Sequence, residues 1–197
     1  MEIPIKLESL ENDIAECLVH LEYLKKISFL GKEINEFVDN HNLNEKAFID
    51  PDISNAHCII TIAQLETSLI LKGLYYSTHE LEKKQLLKNG ILIIYEAIKS
   101  IDEFNKTLNK YSNQYVELKN ELNKYFRELK TFKKGIKFDR DIKNIRNNVA
   151  GHINKDFIEY SKFMETVDVE KSINFLIAFR YIINGLNDYL FKCIIKE

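Results

Sequence analysis

The chain has 197 residues, 45 % of them apolar and 29 % charged, and a formal net charge of −2. That length and apolar content suit a single domain, 1–197, able to bury one core, and the near-neutral balance gives no global signal for a nucleic-acid partner. Two prolines, six glycines and no tryptophan leave few breakers, so the expected fold is all-α, a helical bundle of about five to six helices.

Three cysteines, Cys17, Cys58 and Cys193, are odd in number and widely spaced, which argues against a disulfide framework or a zinc site. No metal and no cofactor are expected. The N-terminal stretch MEIPIKLESLENDIAE carries acids where a secretion signal needs a basic and then an apolar region. The longest apolar run, Cys58 to Leu71, is broken by Gln64 and Glu66 and is too short to span a bilayer. A cytoplasmic protein with no membrane partner is the expectation.

The first helix is expected over about 7–40, with Ile14, Leu18, Leu21, Leu24, Ile27 and Ile34 at three- and four-residue spacing. Its length suits an oligomerisation or partner-binding element. Residues 1–45 hold ten acids and four bases, and a solvated acidic face accounts for them. An Asn-rich loop follows, with Pro51 and a candidate cap at Ser54 or Asn55 opening a second helix that runs to about Thr78. This helix is apolar on more than one face, as a central helix would be. Glu66 and Lys72 are expected on its solvent-facing shoulder.

A third helix is expected over about 80–109, with Leu86, Leu87, Ile91, Ile94, Ala97, Ile98 and Ile101 inward and Gly90 tolerated. A fourth covers about 116–133, with Gly135 as its natural stop. A less regular segment reaches Val167, and Asp168 then caps a last helix running to Ile195. Arg180, inside that helix's apolar run, is expected to snorkel to solvent.

Charge is concentrated before one stretch. Residues 124–146 hold nine bases against three acids. Their mostly three-residue spacing predicts bases that drift around the helix, and the interleaved Tyr125, Phe126 and Phe132 read as core. Candidate RNA contacts are Lys134, Lys137, Arg140 and Lys143.

The basic stretch runs into FDRDIKNIRNNVAGHI, 138–153. On one helix, Phe138, Ile142, Ile145, Val149 and Ile153 would form an apolar seam, with Arg146 and His152 on its opposite shoulders. A guanidinium can hold phosphate oxygens bidentately, while an imidazole titrates near neutrality and can carry a proton. Together these functions suffice for metal-free RNA cleavage in which the ribose 2′-hydroxyl is the nucleophile. A purely structural reading instead pairs Arg146 with Asp139 or Glu66 and lets Asn148 and His152 bond along one helix face.

The segment Arg146-Asn147-Asn148-Val149-Ala150-Gly151-His152 resembles the signature of the HEPN superfamily, an arginine and a polar residue followed four to six positions later by a histidine. The resemblance implies a HEPN-like α-helical bundle, a homodimer whose two motifs face one cleft, and metal-independent endoribonuclease activity of toxin–antitoxin or phage-defence type. By the same resemblance Arg146 binds phosphate, Asn147 assists and His152 transfers the proton. RNA is the implied partner, along with an antitoxin or regulatory protein. Some members carry a modifiable tyrosine two residues after the histidine, and this chain has Asn154 there. The alternative reading is a non-catalytic, HEPN-like protein-interaction module that uses its acidic front and its basic stretch to bind a protein.

Overall fold

The computed structural model describes residues 3–41, 51–113, 116–143, 146, 161 and 164–195. These residues form an all-α bundle of five long helices: α1 (Leu7–Asn40), α2 (Pro51–Tyr76), α3 (Glu80–Ser112), α4 (Val116–Gly135) and α5 (Val169–Ile195), with a π-helical turn at Phe138–Ile142 after α4. α2 is the hub and packs on α1, α3 and α5, while α4 closes over α3 and α5.

The bounds follow from local chemistry. α1 occupies the span its apolar periodicity predicts. α2 begins at Pro51, ahead of the expected caps. Proline at a first helical position gives up an N–H that would have no intrahelical acceptor anyway. Ser54, freed from capping, is buried and shares a 2.9 Å hydrogen bond with Ser28 of α1. The caps of α5 agree with expectation, since the Asp168 carboxylate accepts from the Lys171 N–H at 3.0 Å.

The 25 residues of α2 from Asp52 to Tyr76 reach a mean hydropathy of 1.3, enough by length and composition to cross a membrane, which the run from Cys58 to Leu71 alone did not suggest. In this bundle it lies between helices and carries a buried polar seam. Thr61 donates to Asn187 Oδ1 at 2.9 Å, and Asn187 donates to Gln64 Oε1 at 2.7 Å. These bonds fix α2 against α5 in one register, because slipping either helix would leave buried amides unpaired. Glu66 is exposed, and Lys72 reaches Glu11 of α1 at 2.8 Å, as shoulder positions should.

Arg180 departs from expectation. Its side chain is 6 % exposed and does not snorkel. Its Nε donates to Asp13 at 2.6 Å and its Nη2 to Ser9 at 3.0 Å. The arginine thus ties α5 to α1 as one member of a buried, hydrogen-bonded ion pair.

Two glycines allow close helix approach. A Cβ at Gly90 of α3 would meet Leu176 of α5 at 2.7 Å, and one at Gly185 of α5 would run into the ring of Tyr125 on α4. Gly185→Ala is expected to lower stability by about 1–3 kcal/mol, overpacking outweighing the gain in helix propensity. Urea denaturation checks this, and a stabilised variant would contradict the α4–α5 packing.

His57 of α2 is buried at 1 % exposure beside His20. Burial foremost, then the charge of His20, pushes its pKa down from 6.5 to about 4. The folded state therefore refuses a proton that the unfolded chain accepts. The stabilising contribution is complete above pH 6.5 and is lost as pH falls from 6.5 toward 4, on the order of 3 kcal/mol in full. Urea titrations at pH 7.5 and 4.5 should show this loss, and His57→Phe should flatten it.

Candidate nucleic-acid interface

The sequence pattern on α4 resolves into a stripe. Asn120, Asn123, Arg127, Lys130 and Lys134 recur at three- and four-residue intervals, so they share one face. Lys124, which reaches Glu128, and Lys133, which reaches Asp102, lie off this stripe, so the bases as a whole drift around the helix as their spacing predicts. Opposite this stripe α3 presents Asp102, Asn105 and Asn109. Between the helices lies an open cleft of about 750 Å³, lined also by Phe126, Lys133, Lys137, Phe138 and Arg140. A second hollow of about 640 Å³, lined by Asn120, Asn123, Phe126, Arg127 and Lys130, continues it along α4. The shared lining makes the two hollows one trough.

The aromatic residues divide by role. Phe132 is buried and stacks on Phe179 with centroids 5.8 Å apart, and Tyr125 packs on Tyr189. Both are core, as expected. Phe126 is half-buried against the core, as expected, and the rest of its side chain lines the trough.

Chain reversal into the π-helical turn sets the far end of the trough. Gly135 ends α4 as expected, but among the described residues the positive φ falls on Lys137 and not on a glycine, at φ 50° and ψ 50°. For a residue with a Cβ this conformation costs about 1–2 kcal/mol, and it turns the Lys137 side chain into the cleft lining. Lys137→Gly is therefore expected to raise stability by about 1 kcal/mol while weakening any anion bound in the trough. Thermal denaturation and a binding titration on the same variant read both effects.

The expected α-helical seam from Phe138 begins instead as a π-helical turn. Phe138 and Ile142 are buried, as the seam requires, while Arg140 is exposed and pairs with neighbouring Asp141 at 2.6 Å. That hydrogen bond holds the Asp141 carboxyl below its ordinary range.

Arg146 connects to the trough through a ladder of rings and cations. Lys133 Nζ sits 5.2 Å from the Phe138 ring, Phe138 stacks on Tyr95 at 5.5 Å, and Arg146 Cζ lies 5.5 Å from the Tyr95 ring. Lys133 also reaches Asp102 at 2.7 Å. Arg146 pairs with Glu96 of α3 at 3.4 Å, not with Asp139 or Glu66. The pair is about half exposed, 44 % and 54 %, so it is worth at most about 1 kcal/mol. A phosphate could displace Glu96 and leave the guanidinium seated on Tyr95.

Of the residues singled out in the sequence, Lys134, Lys137 and Arg140 meet in the trough, while Arg146 lies outside its lining and is linked to it only through the Tyr95 and Phe138 rings. Lys143 is exposed and is absent from the lining. Asn147 and His152 lie outside the described residues. Arg127, Lys130, Lys133, Phe126 and the three asparagines Asn105, Asn109 and Asn123 were not singled out as contacts. The α4 spacing signals half of this set, and only packing brings in the α3 half. Among the described residues, no three of His, Cys, Asp and Glu gather where they could hold a metal ion.

The comparisons add no relative. No family model, curated protein or solved structure matches the chain.

Proposed function

We propose that this protein is a metal-independent endoribonuclease of HEPN type, with the α4 trough holding single-stranded RNA beside Arg146. The observation that carries the reading is the convergence of Arg127, Lys130, Lys133, Lys134, Lys137 and Arg140 with Phe126 in one trough, linked through the Phe138 and Tyr95 rings to Arg146, whose guanidinium lies over Tyr95 and in a half-exposed pair with Glu96. Bases on a groove wall track a phosphate backbone, and a half-buried ring accepts a stacked base.

In the reaction the 2′-hydroxyl oxygen attacks the adjacent phosphorus and the P–O5′ bond breaks. One proton leaves O2′ and one arrives at O5′, giving a 2′,3′-cyclic phosphate and a 5′-hydroxyl. Arg146 takes the charge that grows on the phosphoryl oxygens, His152 carries the proton, and Asn147 assists as a hydrogen-bonding polar group. A setting in toxin–antitoxin or phage-defence systems goes with this reading. DNA lacks the nucleophile and would be spared.

The Arg146–Glu96 contact favours a second reading, a non-catalytic interaction module whose charged surfaces bind a protein such as an antitoxin or regulator. Incubation with total RNA in EDTA separates the two. The ribonuclease reading expects fragments ending in 2′,3′-cyclic phosphate, with DNA intact. A folded protein that cleaves no class of RNA would leave the interaction module.

A further inference from the structure

α2 packs along α1 as far as the Ser28–Ser54 hydrogen bond, and α5 meets α1 over a shorter stretch. α5 runs alongside it in the same direction, Arg180 meeting Asp13 and Phe191 stacking on His20 at 5.3 Å. The last described residue of α5 is Ile195, one turn later, while α1 continues to Asn40, about 30 Å past His20 at 1.5 Å per residue.

On this part of α1, beside the face that Leu24 and Ser28 turn to α2, Tyr23, Ile27, Leu30, Ile34 and Phe37 alternate at spacings of four and three. This is the seam of a coiled coil, with Ile27 and Ile34 at one core position of the heptad and Tyr23, Leu30 and Phe37 at the other. Only Ile27 is partly buried by the bundle. Tyr23, Leu30, Ile34 and Phe37 are 48, 57, 43 and 56 % exposed, and flanking Val19 is 67 % exposed. For side chains of these sizes the exposed apolar surface is roughly 500 Å², large for one stripe on a monomer.

We infer that this seam pairs with the same seam of a second copy of the chain, the two α1 helices running antiparallel. Charge decides the occupant and its direction. In an antiparallel pair with Ile27 packed on the partner's Leu30 and Tyr23 on the partner's Ile34, Lys26 faces the partner's Glu33. Symmetry repeats that pair. In a parallel pair the same two residues would face Gly31 and Val38, and neither charge would be matched.

α1 and α3 both pack on α2 and have no extensive contact with each other. The seam and the α4 trough thus belong to different faces, and this inference stands whether or not the trough handles RNA.

Sedimentation equilibrium of the full chain tests the pairing. Wild type is expected to be a dimer, and Leu30→Glu and Ile34→Glu monomers with unchanged circular dichroism at 25 °C, since both positions are exposed. Lys26→Glu and Glu33→Lys should each weaken the dimer roughly tenfold or more, and the double reversal Lys26→Glu/Glu33→Lys should restore it. A wild-type monomer at 100 µM, or a dimer indifferent to Leu30→Glu, would overturn the seam. A double reversal that fails to restore association would overturn the antiparallel second copy.

Discussion

Replacing His152 by alanine is expected to slow RNA cleavage by roughly 10²- to 10⁴-fold, the range lost when a positioned proton-transfer group is removed. Arg146→Ala should lose about 10²- to 10³-fold, chiefly in kcat, because charge on the phosphoryl oxygens is greatest in the transition state. Lysine should rescue Arg146 poorly, as an ammonium neither binds phosphate bidentately nor stacks as a planar group on Tyr95. Glu96→Gln should act in the opposite sense, freeing Arg146 and tightening RNA binding. Single-turnover rates at saturating RNA, with circular dichroism on each variant, check these results. Equal rates for wild type, His152→Ala and Arg146→Ala would remove both residues from the chemistry.

The largest effect on stability is expected at Arg180. Arg180→Met leaves Asp13 as a nearly buried carboxylate, 13 % exposed, whose remaining described hydrogen bond is from Ser68 at 3.3 Å. Removing one partner of such a pair costs about 3–5 kcal/mol, while replacing both partners costs far less because no charge is left stranded. Arg180→Met should therefore be strongly destabilised, and Asp13→Leu should recover much of the loss in the double variant. Urea denaturation of the two single variants and the double variant gives the cycle. Additive losses would mean that the two side chains are not coupled.

The same arginine shows where the sequence was legible and where it was not. Local signals read well. The helix over α1 and the cap at Asp168 depend on neighbours three and four positions away, and both appear where expected, although Leu18 and Ile34 of the α1 pattern are exposed. Arg180 looked like a snorkelling side chain because its partner Asp13 stands 167 positions earlier. Only the packing of α5 on α1 brings them together. The trough follows the same logic, its α4 stripe being written in local spacing while Asn105, Asn109 and Asp102 arrive from another helix. Lys137 was unreadable for a different reason. Gly135 is the residue suited to a left-handed backbone, yet the chain turns two residues later. Arg146 was expected at a shoulder and lies exposed, but its partner Glu96 and its seat on Tyr95 again come from a distant helix.

The central claim is that the α4 trough is an RNA site. The measurement that tests it most directly is the salt dependence of binding to a fluorescent single-stranded RNA with 2′-O-methyl sugars, which cannot cleave itself. Among the described residues, Lys130, Lys134 and Lys137 form no salt bridge within the chain. With Arg127 they offer about four phosphate contacts and a slope of log K against log salt near −3. Lys134→Ala and Lys137→Ala should each weaken binding and make that slope shallower by about 0.7. Tight binding that is indifferent to salt and unchanged in both variants would place the RNA elsewhere and contradict the account.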